Sequence, residues 1–289
     1  MKLIYIGYLK KYFFYNAILL ITIIFMHTSM ANPAEYHFGG GLIKFEYTEY
    51  DDNNVFLDGE TGFIPGIVLK RKQNYQRLYT EIAGQLNGNT IEYDGQTQSG
   101  TPLKTDSDAI IFDTHFKLGI HFSAARNHGP YLGIGYRYWL RNIRSGYDIN
   151  GNPVAGLLEH YHWNYGLLGY AATFNVSENV NLGFDLRHTQ MINGKMDINF
   201  LGYCGYDNAQ VDLGNESGTR FAMPIQIKLT RHSLIVAPYY EIIDIGKSNT
   251  VALTRNGSSA DCNSDGFFDG AFEPRSETRN AGINVTLLW

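Results

Sequence analysis

The chain has 289 residues and a formal net charge of −5, and 14% of its residues are aromatic, 21 of them Tyr. Beyond the N-terminal region no stretch approaches the ~18 consecutive apolar residues of a membrane-spanning helix, which excludes a helical membrane protein. The modest negative charge argues against nucleic acid as a partner. Abundant Tyr with 31 Gly and only 8 Pro suits strands that are apolar on one face and polar or small on the other. Two all-β architectures fit: a membrane barrel, or a soluble sandwich or barrel of one domain.

The N-terminus carries Lys2, Lys10 and Lys11, then a mostly apolar run from Tyr12 to Met26, then Ser29-Met30-Ala31. Small residues at those two positions are what a signal peptidase reads. Residues 1–31 are expected to be a cleaved signal peptide, and 32–289 a single domain. An uncleaved anchor is the competing reading, but the run is interrupted by Asn16 and short for a span. Export would leave Cys204 and Cys262 in an oxidising compartment, where an even count favours a disulfide.

From Asn32 the chain alternates strand-like segments with polar connections. Tyr36–Tyr50 sets Ile43, Phe45 and Tyr47 against Lys44 and Glu46. Gly62–Lys70 alternates at Phe63, Ile67 and Leu69, although Pro65 weakens it as a strand. Arg77–Asp94 sets Leu78, Ile82 and Leu86 against Tyr79, Glu81 and Gln85. The cleanest segment, Ile110–Phe122, opposes Phe112, Phe116, Leu118 and Ile120 to Asp113, His115, Lys117 and His121. Pro130–Ile143 places Leu132, Ile134, Tyr136, Tyr138 and Leu140 on one face, with Arg137 and Arg141 on the other.

Leu158–Val176 has no obvious register, because Tyr161, Trp163 and Tyr165 suggest one face and Phe174 and Val176 the other; a bulge would reconcile them. Val180–Met191 opposes Leu182, Phe184 and Leu186 to Asp185 and Arg187. Gly218–Leu229 alternates Phe221, Met223, Ile225 and Ile227 with Arg220, Gln226 and Lys228. Ser233–Ile245 follows a tight turn, and Gly246–Ser276 is the longest connection. The last segment, Glu277–Trp289, has apolar residues at 281, 283, 285, 287 and 289, and only Leu288 breaks the period of two.

Ten segments result. Connections after the odd ones are long, about 11 to 31 residues, and those after the even ones short, about 3 to 7, which is the asymmetry of an outer-membrane barrel. The closing strand with its terminal Trp289 resembles the last strand of bacterial outer-membrane β-barrels. That resemblance implies a closed antiparallel transmembrane barrel of about ten strands, with short periplasmic turns and long extracellular loops. It also implies outer-membrane lipid and the barrel-assembly machinery as partners, with Trp289 as interface anchor and assembly signal.

The face opposite the apolar one is expected to carry Lys44, Glu46, Glu81, Asp113, His115, Lys117, Arg137, Arg141, Asp185, Arg187, Arg220, Lys228 and Glu241. A narrow barrel fills its lumen with side chains, so these charges are expected to pair into a plug. Asp261, Asn263, Asp265, Gly266 and Asp269 match the first part of an EF-hand loop, but the twelfth position is Phe272, and no helices are expected to flank it. Calcium binding and a solvated turn are the two readings, and no other cofactor is expected. Ten strands is also the size of the omptins, outer-membrane proteases with acidic residues and an Asp–His pair at the rim. Asp113, His115, Glu159, His160 and His162 offer such residue types, but the resemblance covers strand number only, and an enzyme is not the expected class. The leading reading is a surface protein with a plugged lumen that binds an extracellular ligand or supports the envelope through its loops. A narrow solute channel comes second and an omptin-like rim protease third.

Overall fold

In the computed structural model the described residues are 33–289 apart from 98, 124, 126 and 263, together with the side chain of 216. The proposed signal peptide lies outside them. Ten long strands form the wall: β1 (Glu35–Tyr50), β2 (Phe56–Tyr75), β3 (Leu78–Gln96), β4 (Pro102–Ile120), β5 (His128–Ile143), β6 (Leu157–Asn175), β7 (Val180–Asn199), β8 (Glu216–Ala222 continued by Ile225–Lys228), β9 (Ser233–Ile245) and β10 (Arg275–Leu288). Each pairs antiparallel with its sequence neighbour, and β10 returns to β1 from His37↔Leu288 to Tyr50↔Arg275, which closes the ring. Closure leaves the ten-stranded wall without a free edge, the requirement for crossing lipid with strands.

The outer face is apolar in a belt that includes Phe38, Phe63, Phe116, Leu132, Ile134, Leu168, Phe184, Val285 and Leu287. Trp289 stays half-exposed at the short-turn end, its ring edge toward His232 and its backbone paired with Tyr36. The strands outrun this belt. β2 and β7 have 20 residues each, whereas a membrane crossing takes about 9–11. The wall therefore continues beyond the lipid on the extracellular side.

That extension corrects the expected loop lengths. Residues 51–61 and 96–109 are not long loops; the connections shrink to 51–55 and 97–101, and the rest is wall. Long connections remain at 144–156, 200–215 and 246–274, against 76–77, 121–127, 176–179 and 229–232 at the other end. Polarity hid the extra wall, because above the lipid the outer face meets water and loses its apolar half of the pattern.

Pro65 sits inside β2, and the ladder accommodates it. Pairing with β3 stops after Thr61↔Glu92 and resumes at Gly66↔Asn87. In the gap, Asn87 and Asn89 donate side-chain hydrogen bonds to the carbonyls of Ile64 (3.3 Å) and Phe63 (2.7 Å), satisfying acceptors that lost their backbone partners. β6 has no bulge: Tyr161, Trp163, Tyr165 and Leu167 point inward, and Phe174 and Val176 fall on the outer side of the same register. The irregularity lies across from it on β7, where Asn164↔Asn193 is followed by Tyr165↔Met191. Ile192 is the extra residue, and beyond it the inward set shifts to Met196 and Ile198.

Abundant Tyr and Gly have a joint structural use. A Cβ on inward-facing Gly135 or Gly169 would collide with the ring of Tyr165 or Tyr131 lying across it. The bare glycines let these rings lie flat and deliver their hydroxyls to Asp113 (3.0 Å) and Asp185 (2.7 Å). A closed ring with its backbone fully paired should resist detergent until boiled. Unheated and boiled samples should migrate differently on a denaturing gel; identical migration would contradict the closed wall.

Candidate functional site

The lumen is layered, and its extracellular end is closed by one cation. Arg141 of β5 has 2% of its side chain exposed and spans the lumen to the facing wall. Its Nη1 contacts Glu49 (2.7 Å) and Glu159 (3.0 Å), its Nε contacts Glu60 (2.8 Å) and its Nη2 contacts Asp58 (3.1 Å). The guanidinium also lies over the ring of Tyr47 (4.8 Å). All three guanidinium nitrogens, and four of the five N–H groups, are engaged by carboxylates, as burial of a permanent cation demands. Sequence reasoning placed Arg141 inside but missed Glu49, Asp58 and Glu60. Glu49 continues the inward set Phe45, Tyr47 with the same period of two, which is the signal that marks it. Asp58 and Glu60 were masked by assignment to a loop.

A fifth acid, Glu273, comes from the 246–274 connection and is buried beside this cluster. Tyr47 Oη lies 2.7 Å from Glu273 and 2.8 Å from Glu49, yet one hydroxyl proton cannot serve two carboxylates. The arrangement closes if Glu273 keeps its own proton and donates to Tyr47, which donates to Glu49. Burial first, then the charges of Glu49 and Glu159, push the Glu273 carboxyl well above the ordinary range.

Below Arg141 the lumen is not polar. Phe45, Trp139, Tyr161, Trp163, Ile43 and Ile243 pack as one cluster, with Trp139 stacked on Tyr161 at 4.7 Å. Beneath them lies a second ionic layer. Arg137 bonds Asp113 (2.9 Å) and Glu241 (3.3 Å), Arg187 bonds Glu241 (3.1 Å), and Lys117 approaches Glu81 (3.2 Å) and Asp185 (3.9 Å). His115 lies between Glu81 and Asp113 at 3.7 and 3.6 Å. Arg220 turns inward over Tyr239.

Three expected members are elsewhere. Lys44 and Glu46 point outward, 51% and 43% exposed, and pair with each other. The inner face of β1 at that height belongs to Ile43, Phe45 and Tyr47, because the apolar layer fills the lumen there. Lys228 is exposed at the periplasmic end of β8, its Nζ donating to the Glu178 carbonyl at 3.2 Å.

The protease-type residues do not converge on the mouth. Glu159 serves Arg141, and Asp113 and His115 sit in the lower layer. His160 and His162 project from the outer wall, bonded to Tyr138 (2.6 Å) and Asp197 (3.2 Å), in a groove roofed by the segment around Leu201.

Above the barrel the connections 200–215 and 246–274 form a cap. Cys204 and Cys262 are disulfide-bonded, with Cα atoms 5.8 Å apart. Asp207 accepts from Thr254 Oγ1 (2.7 Å) and the Gly257 N–H (2.9 Å). Asp269 accepts from Tyr206 (2.6 Å) and the Cys262 N–H (2.7 Å), and those bonds hold it below the usual carboxylate range. Asp261 and Asp265 accept from the N–H groups of Gly266 and Phe267, while Asn263 lies outside the described residues. Among the described residues no three acidic, His or Cys side chains gather as metal ligands.

A wall that closes on itself, an apolar outer belt and a filled lumen decide the architecture. The fold is that of an outer-membrane β-barrel. It is similar to the outer membrane protease OmpT from Escherichia coli, with 12% identity and a TM-score of 0.58, covering 91% of this chain and 98% of that one. The β domain of the Bordetella autotransporter BrkA aligns with a TM-score of 0.43 at 9% identity, over 87% of this chain and 99% of that one. No family model matches the chain, and neither does any curated protein.

Two outcomes test the site. Arg141→Gln leaves three buried carboxylates and the partly buried Asp58 without their counter-charge, a change worth on the order of 3–5 kcal/mol. The variant barrel should lose its heat-resistant gel form at a clearly lower temperature. Glu273, whose carboxyl is raised by folding, contributes its stabilisation fully below the unfolded value of about 4.3 and loses it as pH rises through the folded value. Proteolysis of 246–274 should therefore accelerate as pH rises, after correction for the protease's own profile, and Glu273→Gln should flatten the dependence. An equally steep curve in the variant would rule Glu273 out as its origin.

Proposed function

We infer that this barrel is a surface-exposed binding protein whose working face is the extracellular cap and whose lumen does not pass solutes. The observation that supports this reading is Arg141, fixed between opposite walls above a packed aromatic layer. An ion crossing the lumen would have to break a buried guanidinium–carboxylate cluster, at a cost no thermal fluctuation supplies often. Meanwhile the cap is cross-linked, hydrogen-bonded and anchored to the wall by Glu273, so it presents a fixed shape. Its tip exposes Phe267 and Phe268, and the neighbouring 144–156 connection exposes Tyr147 and Ile149; rigid aromatic groups in ordered loops suit recognition of another molecule.

A solute channel is the second reading, and the sealed mouth weighs against it. A rim protease draws no support from side-chain placement, since the carboxylates at the mouth are engaged by Arg141. The likeness to OmpT is a likeness of fold.

In a planar bilayer the purified protein should show no steady conductance, and Arg141→Gln should introduce leak currents. Large, reproducible single-channel steps from the unaltered protein would reverse the order of the first two readings. The disulfide removes loop-closure entropy worth about 4 kcal/mol in the chain-entropy model. Reduction should expose 200–215 and 246–274 to protease while leaving the heat-resistant barrel intact; unchanged cleavage would show that the bridge does not hold the binding face.

A further inference from the structure

A cavity of about 180 Å³ occupies the periplasmic half of the lumen. It reaches His37, Ile235 and Thr286, each two residues from the periplasmic end of its strand. Its volume is roughly ten times what a single water needs.

The lining carries buried polar atoms without partners, most of them donors. The N–H of His37, Nε of Arg187 and Nε2 of Gln85 are unpartnered donors, and the second His37 nitrogen and Asn284 Oδ1 are unpartnered acceptors; all four side chains face this cavity. His37 and Arg187 are 5% and 4% exposed, so bulk water does not satisfy them. Native proteins rarely leave several such groups around one space unless something polar occupies it.

Charge has the same sign as the donors. Lys70, Lys117, Arg187 and Arg220 line the cavity against Glu81, Asp113 and Asp185. Those carboxylates already have partners: Lys117 at 3.2 Å for Glu81, Arg137 at 2.9 Å for Asp113 and Tyr131 at 2.7 Å for Asp185. Arg220 is the lining cation without a contact ion pair among the described residues. Its guanidinium lies 3.6 Å over the ring of Tyr239. Glu241, its neighbour across the ladder, contacts Arg137 and Arg187 and feels the charge of Arg220 only from a distance. A guanidinium stacked by its face keeps its N–H edge available, the geometry that meets a carboxylate or phosphate with two parallel bonds.

We propose that this cavity is a binding site for a small oxyanion, a carboxylate or a phosphate, reached from the periplasmic end. Arg220 supplies the fork, His37 and Gln85 supply neutral donors, and Lys70 and Lys117 supply field. The site is independent of the extracellular cap, because the aromatic layer and the Arg141 cluster separate the two.

The test is calorimetric titration of the detergent-folded barrel at low ionic strength with inorganic phosphate and, separately, succinate. Saturable binding of one equivalent of at least one of them is expected, and which one binds identifies the class. Arg220→Gln should weaken it about tenfold or more, with the heat-shifted gel form retained as proof of folding. His37→Phe, which fills the cavity's lower end without altering charge, is the second variant and should also lower affinity. Absence of saturable binding in the unaltered protein would reduce the cavity to a water pocket, and undiminished affinity in both variants would place the anion elsewhere; either result overturns the proposal. Neither bears on conductance, so the reading of the cap stands or falls separately.

Discussion

A guanidinium taken out of water must find compensation on every donor, and the extracellular half of this barrel is arranged around that requirement. Arg141 takes carboxylates from β1, β2 and β6, and the ring of Tyr47 lies along its face. The wall has to rise far enough past the lipid for Asp58 and Glu60 to be strand residues rather than loop residues. The strands that look too long for a membrane crossing are the length this cluster requires. With four carboxylates already committed to one cation, a fifth acid can join only as a neutral group, which is how Glu273 docks the cap onto the mouth.

The interior follows from packing as much as from charge. Ten strands enclose a space that side chains nearly fill, and here they fill it in alternating layers: ionic, aromatic, ionic. Each ionic layer is insulated from the other by the cluster around Trp139 and Trp163. Charges buried in a low-dielectric space interact strongly over short distances, so separation into layers lets each network reach its own balance. The upper one is acidic and closed. The lower one keeps Arg220, stacked on Tyr239 and without a contact ion pair among the described residues, beside open space.

Tyrosine ties the layers to the wall. Rings laid across bare glycines deliver hydroxyls to Asp113 and Asp185 while their faces pack on the sheet. The same residue type that forms interface girdles in membrane barrels serves on the inner face as a rigid arm for hydrogen bonding. This explains why the composition is rich in both Tyr and Gly with so little proline.

Much of the architecture was legible in the amino-acid order. The period of two gave the ten strands, their sequence order and the inward placement of Asp113, Lys117, Arg137, Arg141 and Arg187, because in a half-lipid, half-lumen wall each residue's face follows from parity. The pairing of Cys204 with Cys262 is what an even count in an oxidising compartment favours, and the two strands between them run down and back, bringing both to one side. Three things did not follow. Parity fails where neither face is lipid, so the polar wall above the membrane reads as loop, and Asp58 and Glu60 with it. Parity also says nothing of what fills the lumen at a given height, so Lys44 and Glu46 were placed inside where the aromatic layer excludes them. Partners across a barrel are separated by 18 to 104 residues, as Arg141–Glu159 and Arg137–Glu241 are, and no local pattern records such a distance. Strand tilt and register decided which side chains share a level, and these are properties of the closed ring rather than of any one strand.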